Sequence, residues 1–512
     1  MLDSVQWVNY AVVAQKDFRF CRQCLCFGQR PETMDAFQQT LKLAFDAHNG
    51  GRQADAEALC RTLLQIKSDD PQLLFLLGMV LHKTHRDAEA ADWLRRAVKL
   101  EPDAARNHSG LGCALRGLGD WPGAQQSYLR AAELDPKDSS HFYNLGIAEH
   151  NLNDLEHAVA AFQTAVALNP RDSMSWNNLG KVFRQLNRLD ESLAAYDRSL
   201  EISPDYELAQ RGRAMSLLTA GRLAEGFREY VSRWSKVTPR KFTQPRWNGE
   251  PAPGKTIFIN AEQGFGDAIQ FTRLVPLVRE RVGRVILECR PDLKSLFTYS
   301  KCADEVIAFG EPIPPFDMFT SIMSLPGALG VTLENIPNRV PYLAAPREES
   351  LPSTNPKNLK VGFVWAGSRT HSDDAWRSMT LEQFAPILQT RGVTFYCLQI
   401  PVPERDQPLL RSLPSVVDLS PRLKDFQATA DFVTQLDLVI AVDTSIVHLT
   451  GALAKPVWTL TQLDADWRWM LDRTDTPWYP TMRLFRQAKR GDWPPLVAHV
   501  AAELQRLVAK QR

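Results

Sequence analysis

An aspartate at the end of a glycine-rich turn is the first group in this sequence that is suited to chemistry. Asp267 closes the stretch E-Q-G-F-G-D (262–267), in which Gly264 and Gly266 allow a sharp change of backbone direction. A carboxylate in that place can take a proton from a hydroxyl group, as a general base does. The dipole of a helix also favours an acidic residue in its first turn. The residues alone leave both interpretations of Asp267 open.

A second stretch, V-D-T-S-I-V-H-L-T (442–450), has the residues of a phosphate-binding helix start. Asp443 follows an apolar run, Thr444 and Ser445 stand where a helix begins, and His448 comes about one turn later. Free backbone N–H groups and the helix dipole attract a phosphate at such a position, and His448 can add a hydrogen bond to a diphosphate. The alternative is that Thr444 or Ser445 caps the helix while His448 packs against a sheet.

A third stretch, W-A-G-S-R-T-H-S-D-D-A-W-R-S (365–378), supplies Gly367, Ser368, Arg369 and Arg377 after another apolar run. A guanidinium group at this place can clamp the oxygens of a phosphate, because its planar fork of donors matches their geometry. The alternative is an exposed polar loop without a ligand.

The elements around these stretches must position them. Strand and helix patterns alternate from residue 256 onward, which predicts parallel sheets with helices on their faces. A Pro-rich stretch at 341–358 divides the pattern into two Rossmann-like lobes, 256–345 and 358–512. In doubly wound sheets, ligands bind beyond the carboxyl ends of the strands. Since each of the three stretches follows a predicted strand, we expect them to face a common cleft.

A 34-residue repeat precedes this α/β region. Small residues let two helix backbones approach, bulky residues fill the gap between them, and a proline ends the second helix. The pattern resembles the tetratricopeptide repeat, and it predicts an α solenoid over 37–235 followed by a linker over 236–255. The recurring positions are Gly78, Gly112, Gly146 and Gly180, then Leu94, Tyr128, Phe162 and Tyr196, then Pro102, Pro136, Pro170 and Pro204.

Composition limits the possible partners and the location. The net charge of +1 gives no electrostatic reason to expect nucleic acid as a partner, and no apolar run approaches the roughly 20 residues of a membrane span. Without a secretory signal pattern, we expect a cytoplasmic location. Three of the eight cysteines cluster as C-R-Q-C-L-C (21–26) in a leader, 1–36, that we expect to be poorly ordered. Either Met1 or Met34 can be the natural start.

Taken together, E-Q-G-F-G-D, the W-A-G-S loop and D-T-S-I-V-H-L-T-G-A-L resemble the ADP-heptose:lipopolysaccharide heptosyltransferase family of GT-B glycosyltransferases. The arrangement is more closely similar to bacterial proteins that join tetratricopeptide repeats to a heptosyltransferase-like domain. D-W-R-W (466–469) and W-Y-P-T-M-R-L-F-R-Q (478–487) also match those fusions. The resemblance covers nearly everything from residue 37 onward and implies a GT-B-like fold after the solenoid.

The resemblance also implies roles for single residues. Asp267 matches the family's proposed general base, and the second lobe, 358–512, is expected to bind a nucleotide-sugar. The family's phosphate-contacting lysine has no clear match, and Arg369 or Arg377 can replace it. The predicted donor-binding residues are Gly264, Gly266, Gly367, Ser368, Arg369, Arg377, Asp443, Thr444, Ser445 and His448.

We therefore expect a glycosyltransferase that moves a sugar from a nucleotide-sugar donor to an acceptor. The expected acceptor is a protein held in the groove of the repeats, and the alternative acceptor is a glycolipid or a surface polysaccharide. The resemblance implies no cofactor and no metal, so the D-A-D triplet at 464–466 is not expected to bind an ion. The alternative is a non-catalytic scaffold, in which the repeats and a degenerate transferase-like domain mediate protein–protein interaction. The short first lobe, 256–345, favours the scaffold, and the joint presence of Asp267, Asp443 and His448 opposes it.

Overall fold

The structure, a computed structural model, describes residues 30–230, 240, 242–352, 355–369 and 374–511. Most of the predicted leader, with its cysteine cluster, and part of the predicted linker lie outside the described residues. The chain divides into two compact units, Met1–Val182 and Phe183–Arg512. No helix among the described residues is both long and apolar enough to cross a bilayer.

Helices follow one another without a strand from residue 30 to residue 230. The prolines predicted to end the second helix of each pair stand just after α4, α6, α8 and α10. The helices are α1 Arg30–Asn49, α2 Gln53–Ile66, α3 Pro71–Lys83, α4 Asp87–Leu100, α5 Ala105–Gly117, α6 Trp121–Leu134, α7 Ser139–Asn151, α8 Leu155–Leu168, α9 Ser173–Gln185, α10 Leu189–Ile202, α11 Glu207–Thr219 and α12 Leu223–Tyr230.

In three of the repeats the glycine lies against the bulky residue of the same repeat. A Cβ atom placed on Gly78 would lie 2.5 Å from Leu94 Cγ, and one on Gly112 would lie 2.6 Å from Tyr128 Cε1. Gly146 meets a phenylalanine ring in the same way. A larger residue at these glycines would push the two helices apart. The predicted pairing of small and bulky residues is therefore confirmed as direct contact.

Two parallel sheets follow the helices. The first has the strand order β3-β2-β1-β4 and the second has the order β10-β9-β8-β5-β6-β7. The strands are β1 Ala252–Asn260, β2 Val282–Cys289, β3 Glu305–Ala308, β4 Met318–Ser321, β5 Leu359–Val364, β6 Val393–Cys397, β7 Val416–Asp418, β8 Leu438–Val442, β9 Val457–Thr461 and β10 Met482–Arg486.

Helices connect these strands, as parallel pairing requires. Counted along its own lobe, the second sheet has the order 6-5-4-1-2-3, which is the doubly wound order of dinucleotide-binding folds. The predicted fold class, helical repeats followed by two parallel α/β lobes, is confirmed. The helices are α13 Phe265–Phe271, α14 Val275–Arg279, α15 Pro291–Tyr299, α16 Leu325–Ala328, α17 Asp374–Arg377, α18 Leu381–Leu388, α19 Gln407–Ser412, α20 Phe426–Thr434, α21 Ser445–Ala452 and α22 Trp493–Gln511.

Two local expectations differ from the structure. The apolar spacing of 267–281 predicts one helix, but the structure has α13, a 3₁₀ turn at Thr272–Leu274 and α14 in its place. Pro276 accounts for the break, because it has no N–H to donate and its ring collides with the carbonyl of the preceding turn. Strand β1 begins at Ala252, inside the stretch predicted as linker, and the buried Trp247 just before it donates its backbone N–H to Phe319 O at 2.8 Å.

The last repeat helices of the second unit share a core with the α/β lobes. Phe227 of α12 is buried, and its ring meets those of Trp467 and Phe271 edge-on at centroid distances of 5.3 and 6.3 Å. The same core contains Ile259 of the first sheet and Val447 of α21. Helices α11 and α12 are therefore packed as part of the α/β unit.

Candidate functional site

The three predicted stretches lie at the carboxyl edges of the two sheets. The stretch 262–267 follows β1, 365–378 follows β5, and Asp443 follows β8. Strands β1 and β4 are neighbours in the first sheet, and β5 and β8 are neighbours in the second; at each pair the strand order reverses. The crevice beyond such a switch point is where doubly wound sheets bind ligands.

Asp267 stands in the first turn of α13 and makes two kinds of contact. Its Oδ2 accepts the backbone N–H of Gly264 at 3.1 Å, which satisfies a free donor at the helix start. Its Oδ1 forms an ion pair with Arg468 of the second lobe. The carboxylate thus takes the helix-start role that the sequence allowed, and an arginine holds its other oxygen.

Arg468 connects the acids of both lobes. The side chain is 8% exposed, its Nη1 lies 2.8 Å from Asp466 Oδ1, and its Nε donates to the side-chain oxygen of Gln270. Burial lowers the pKa of Arg468, but the carboxylates of Asp466 and Asp267 raise it, and the net shift is upward. A permanently charged guanidinium therefore sits between two carboxylates at the lobe interface.

His448 is buried at the contact between α13 and α21. The residue is 5% exposed, its Nδ1 lies 3.0 Å from the hydroxyl of Tyr479, and its ring stacks on Trp469 at a centroid distance of 5.3 Å. A Cβ atom on Gly266 would lie 2.8 Å from His448 Cδ2. Burial, with the positive charges of Arg468 and a second arginine, holds the pKa of His448 well below its usual value. The imidazole is therefore neutral at pH 7.

That second arginine, Arg273, makes contacts with residues of both lobes beside His448. It is buried, its Nη2 donates to the hydroxyl of Tyr342 at 2.9 Å, and its Nη1 donates to the carbonyl of Trp478. Its guanidinium carbon lies 4.4 Å from the ring centroid of Tyr479 and 4.5 Å from that of Tyr342. Because Tyr479 also bonds to His448, one polar network runs from the first lobe to the predicted donor-binding histidine.

Asp443 and Thr444 form the end of β8 and the start of α21. Asp443 Oδ2 accepts the indole N–H of Trp469 at 2.7 Å, and burial together with the nearby Asp466 raises the pKa of Asp443 to about 6. Thr444 occupies the N-cap position, but its side chain makes no capping bond, and its buried Oγ1 has no hydrogen-bond partner among the described residues. Ser445 is the first helical residue. Side-chain capping by Thr444 is therefore absent, and its hydroxyl is available to another group.

The 365–378 loop folds back on itself at the end of β5. The backbone N–H of Gly367 donates to Ser378 Oγ at 2.8 Å, and a Cβ atom on Gly367 would lie 2.6 Å from Arg377 Nη2. The charge of Arg377 is one of the influences that lower the pKa of Asp443. Ser368 and Arg369 are exposed, and 370–373 lie outside the described residues.

The structure thus brings together part of the predicted set. Gly266, Asp267, Asp443 and His448 meet at one interface, through Arg468 and Trp469, and Arg377 and Thr444 lie beside Asp443. Gly264, Ser368 and Arg369 lie on exposed backbone at the rim. Their roles in donor binding, and the role of Asp267 as a base, stay predictions.

Two buried arginines of the second lobe have no role in the site predicted from the sequence. The first group is Arg468 in the D-W-R-W stretch. An arginine between two tryptophans after a buried strand indicates a buried guanidinium, and a buried cation requires a carboxylate as its partner. The second group is Arg490, which lies 3.1 Å from Asp464 with both side chains buried, while the ring of Trp376 covers its guanidinium at 4.5 Å. No spacing in the sequence indicates that pair.

A cleft of about 420 Å³ lies elsewhere in the second unit. It is lined by the turns at 187–190 and 219–221, by Leu333 and by the segment 470–473. None of the predicted site residues lines it, so it is not the crevice that the switch points indicate.

Comparison with known proteins adds to this geometry. Residues 49–105, 110–172 and 151–207 match the tetratricopeptide repeat. Residues 329–463 match glycosyltransferase family 9 (heptosyltransferase). The chain joins tetratricopeptide repeats to a heptosyltransferase-type domain. The second match includes the 365–378 loop and the start of α21, but it does not extend to Asp267 or Arg468.

One curated relative and several solved structures are similar to parts of the chain. Protein FlbA of Caulobacter vibrioides is 30% identical over 338 residues, which are 60% of this chain and 56% of FlbA; the match thus spans little more than half of that relative. YrrB, described as a TPR protein with an unusual peptide-binding site, is 18% identical and has a TM-score of 0.32, covering 35% of this chain and 93% of its own. TTC0263, a thermophilic TPR protein of Thermus thermophilus, is 24% identical with a TM-score of 0.31, covering 36% and 100%.

Proposed function

We propose that the α/β lobes transfer a sugar from a nucleotide-sugar donor to an acceptor, and that the acceptor is a protein recruited by the repeats. The observation that carries the proposal is the meeting of Asp267, Asp443 and His448 at one interface, although they stand far apart in the chain. The match of the second lobe to the heptosyltransferase family supports the same activity.

The donor would bind at the carboxyl edge of the second sheet. The free N–H groups at the start of α21, the unpartnered hydroxyl of Thr444 and the guanidinium of Arg377 would hold the diphosphate. Asp443 would face the hydroxyl or amino groups of the nucleoside, because a carboxylate repels phosphate oxygens. Backbone dipoles and arginine would neutralise the leaving diphosphate, so this arrangement needs neither a metal nor a cofactor.

Transfer would then move one sugar and one proton. The acceptor oxygen forms a bond to the anomeric carbon, the bond from that carbon to the diphosphate oxygen breaks, and the diphosphate leaves with the electron pair. Asp267 would take the proton of the acceptor hydroxyl. Because Arg468 holds this carboxylate in the structure, the acceptor must enter beside the ion pair or separate it.

The same ion pair favours a second candidate, a scaffold without catalysis. A carboxylate neutralised by a buried arginine is a weaker base than a free one, and His448 is covered by Trp469 and Gly266. In that case the lobes would bind a nucleotide or nothing, and the repeats would carry the function as a protein-binding surface.

Isothermal titration calorimetry with a panel of nucleotide diphosphate sugars tests the donor site. We expect one donor to bind and Arg377→Met to weaken it by roughly tenfold or more, since a hydrogen bond to a charged group contributes about 1.5–3 kcal/mol. Arg411→Met is the matched control, because Arg411 is exposed in the same lobe and donates to Gln407, away from the proposed site. Equal losses in both variants, or no binding of any donor, would refute the donor site.

Turnover distinguishes the enzyme from the scaffold. Mass spectrometry of cellular proteins with and without the intact gene would identify the acceptor as the protein that loses a glycan mass. With that acceptor, Asp267→Asn should abolish transfer while donor binding persists. Donor binding without transfer to any protein would leave the scaffold as the function of this chain. Fractionation of cells would test the expected cytoplasmic location.

A further inference from the structure

Two aspartates and a histidine converge at the turn between α6 and α7. They stand in D-P-K-D-S-S-H (135–141), with Asp135 in the turn, Asp138 at the N-cap of α7 and His141 in its first turn. One carboxylate oxygen of each aspartate and one ring nitrogen of His141 all lie within 4.8 Å of one another. Both aspartates are exposed, while His141 is buried. The cluster lies entirely within the first unit, whereas the residues of the proposed transferase site belong to the second.

The imidazole of His141 has no hydrogen bond that accounts for its burial. The residue is 5% exposed, and within the described part of the chain its buried Nδ1 has no hydrogen-bond partner. Its Nε2 lies 3.7 Å from Asp138 Oδ2, which is an ion-pair distance but too long for a hydrogen bond. A buried polar group left without a partner costs about 1–3 kcal/mol. Nε2 is therefore the ring nitrogen close to Asp138, and Nδ1 is the ring nitrogen that stays unsatisfied.

In the neighbouring repeats, the residues at the position of His141 are Asn107 and Ser175, and each makes a hydrogen bond. One repeat earlier, Asn107 donates its side-chain amide to the carbonyl of Ala97 at 3.3 Å. One repeat later, the hydroxyl of Ser175 donates to Asp172 Oδ2 at 2.5 Å. In both repeats the polar side chain donates a hydrogen bond within its own repeat, although Asn107 Oδ1 is also buried without a partner among the described residues. The repeat of His141 differs, since its side chain is directed at two acids and makes neither bond.

The equivalent acids also differ between the repeats. At the position of Asp135 the adjacent repeats have Glu101 and Asn169, and at the position of Asp138 they have Ala104 and Asp172. Of these three repeats, only the central one combines two aspartates with a histidine. The coincidence of three ligand groups at one turn is thus not a general feature of the repeat.

We propose that Asp135, Asp138 and His141 bind a divalent transition-metal ion, with zinc as the first candidate. An imidazole nitrogen and two carboxylate oxygens are ligands that Zn²⁺ accepts, at about 2.0–2.2 Å, and water or a side chain of a bound protein fills the remaining position. Asp135 Oδ1 accepts the backbone N–H of Lys137 at 3.2 Å, so on binding the exposed Asp135 either gives up that bond or binds the ion through its other oxygen. The ion removes the repulsion between the two carboxylates and braces the turn that joins two helix pairs.

Zinc titration of the intact protein by calorimetry tests the site. The variant His141→Asn places in this repeat the residue that the preceding repeat has at the same position, so the turn is expected to fold. We expect His141→Asn and Asp135→Asn each to lose one equivalent of bound zinc, or to bind that equivalent at least about tenfold more weakly. Because the cysteines at 21–26 can bind zinc themselves, the difference between variants is the measured quantity, and the absolute number is not.

His157→Asn is the matched control, because His157 also pairs with an aspartate three residues earlier, at 2.8 Å from Asp154 Oδ2, but it belongs to no such three-ligand cluster among the described residues. Its zinc stoichiometry should equal that of the wild type. Co²⁺ gives a second readout: a weak visible absorption that His141→Asn removes without loss of any sulfur-to-metal band. Equal stoichiometry and affinity in the wild type and His141→Asn would overturn the proposal. Donor binding to the lobes is measured separately, so failure of one proposal does not affect the other.

Discussion

The close contact between Gly266 and His448 makes the lobe interface sensitive to one methyl group. Gly266 is the second residue of α13, and a Cβ atom there would lie 2.8 Å from Cδ2 and 3.3 Å from Nε2 of His448. The ring cannot move away easily, because Trp469 stacks on it and Tyr479 bonds to its Nδ1. The variant Gly266→Ala must therefore separate α13 from α21 or displace this ring.

Two opposing effects set the size of the change. Overpacking of a filled core costs about 1–3 kcal/mol. Alanine in place of glycine stabilises a helix by at most about 1 kcal/mol, and by less in the first turn. Since the contact is with a fixed ring, the steric cost is the larger effect. We expect Gly266→Ala to destabilise the protein by about 1–2 kcal/mol, the middle of the steric range less part of the helix gain.

A double-mutant cycle separates this contact from any general effect of the substitution. Unfolding of Gly266→Ala, His448→Ala and the double variant would be followed by scanning calorimetry of the intact chain. Truncating His448 removes the obstacle, so Gly266→Ala should change from destabilising to neutral or stabilising in that background. An equal loss of stability in both backgrounds would show that the backbone, and not the ring, requires the glycine, and the reasoning would be refuted.

Three further substitutions have clear expectations. Arg468→Met leaves two partly buried carboxylates without their cation and should lower the free energy of unfolding by about 3–5 kcal/mol. Arg473→Met, which removes an exposed ion pair, should change the free energy of unfolding by less than about 0.5 kcal/mol in the same thermal assay. Phe227→Ala should cost about 3–5 kcal/mol in the same assay, because the ring is fully packed, and truncation of the exposed Leu208 should cost almost nothing. The pKa of Asp443, raised to about 6, means that the folded state keeps a proton that the unfolded state releases near pH 4. The wild type therefore loses stability as the pH rises from about 4 to about 6. Asp443→Asn should be more stable than the wild type above pH 6, and this advantage should disappear toward pH 4. A series of melting temperatures measured at different pH values checks both expectations.

The elements that could be predicted are those with a strong local pattern. The contact of Gly112 with Tyr128 follows from a fixed spacing that recurs along the repeats. The apolar runs 256–260, 360–365, 437–442 and 457–460 predict strands, and they correspond to β1, β5, β8 and β9, which are central strands of the two sheets. Strands β4, β7 and β10 have no such run, and all three lie at sheet edges. Edge strands pair on one side only and are short or mixed in polarity, so the apolar pattern is weak there.

The candidate site was predictable in position but not in its pairings. Parallel strands send the loops at their carboxyl ends to the same edge, so the types of residue at that edge could be inferred. The ion pair of Arg468 with Asp267 and the contact of Gly266 with His448 join residues that stand about 180 to 200 positions apart. Nothing local in the sequence encodes such a distance. The pairings also decide the chemistry, because they determine whether the predicted base is free.

The packing of α11 and α12 leads to a last prediction, on where the α/β unit can be separated from the repeats. A cut at the predicted linker, before residue 236, would remove Phe227 and expose the faces of Trp467 and Phe271 that it covers. Exposure of buried aromatic and aliphatic side chains costs about 1.5–3 kcal/mol for each one. A fragment of residues 187–512 keeps these contacts and should melt cooperatively. The fragment 236–512 should melt at a lower temperature or aggregate, as seen by calorimetry and size-exclusion chromatography. Equal stability of the two fragments would show that the helices preceding the linker are not part of the α/β core.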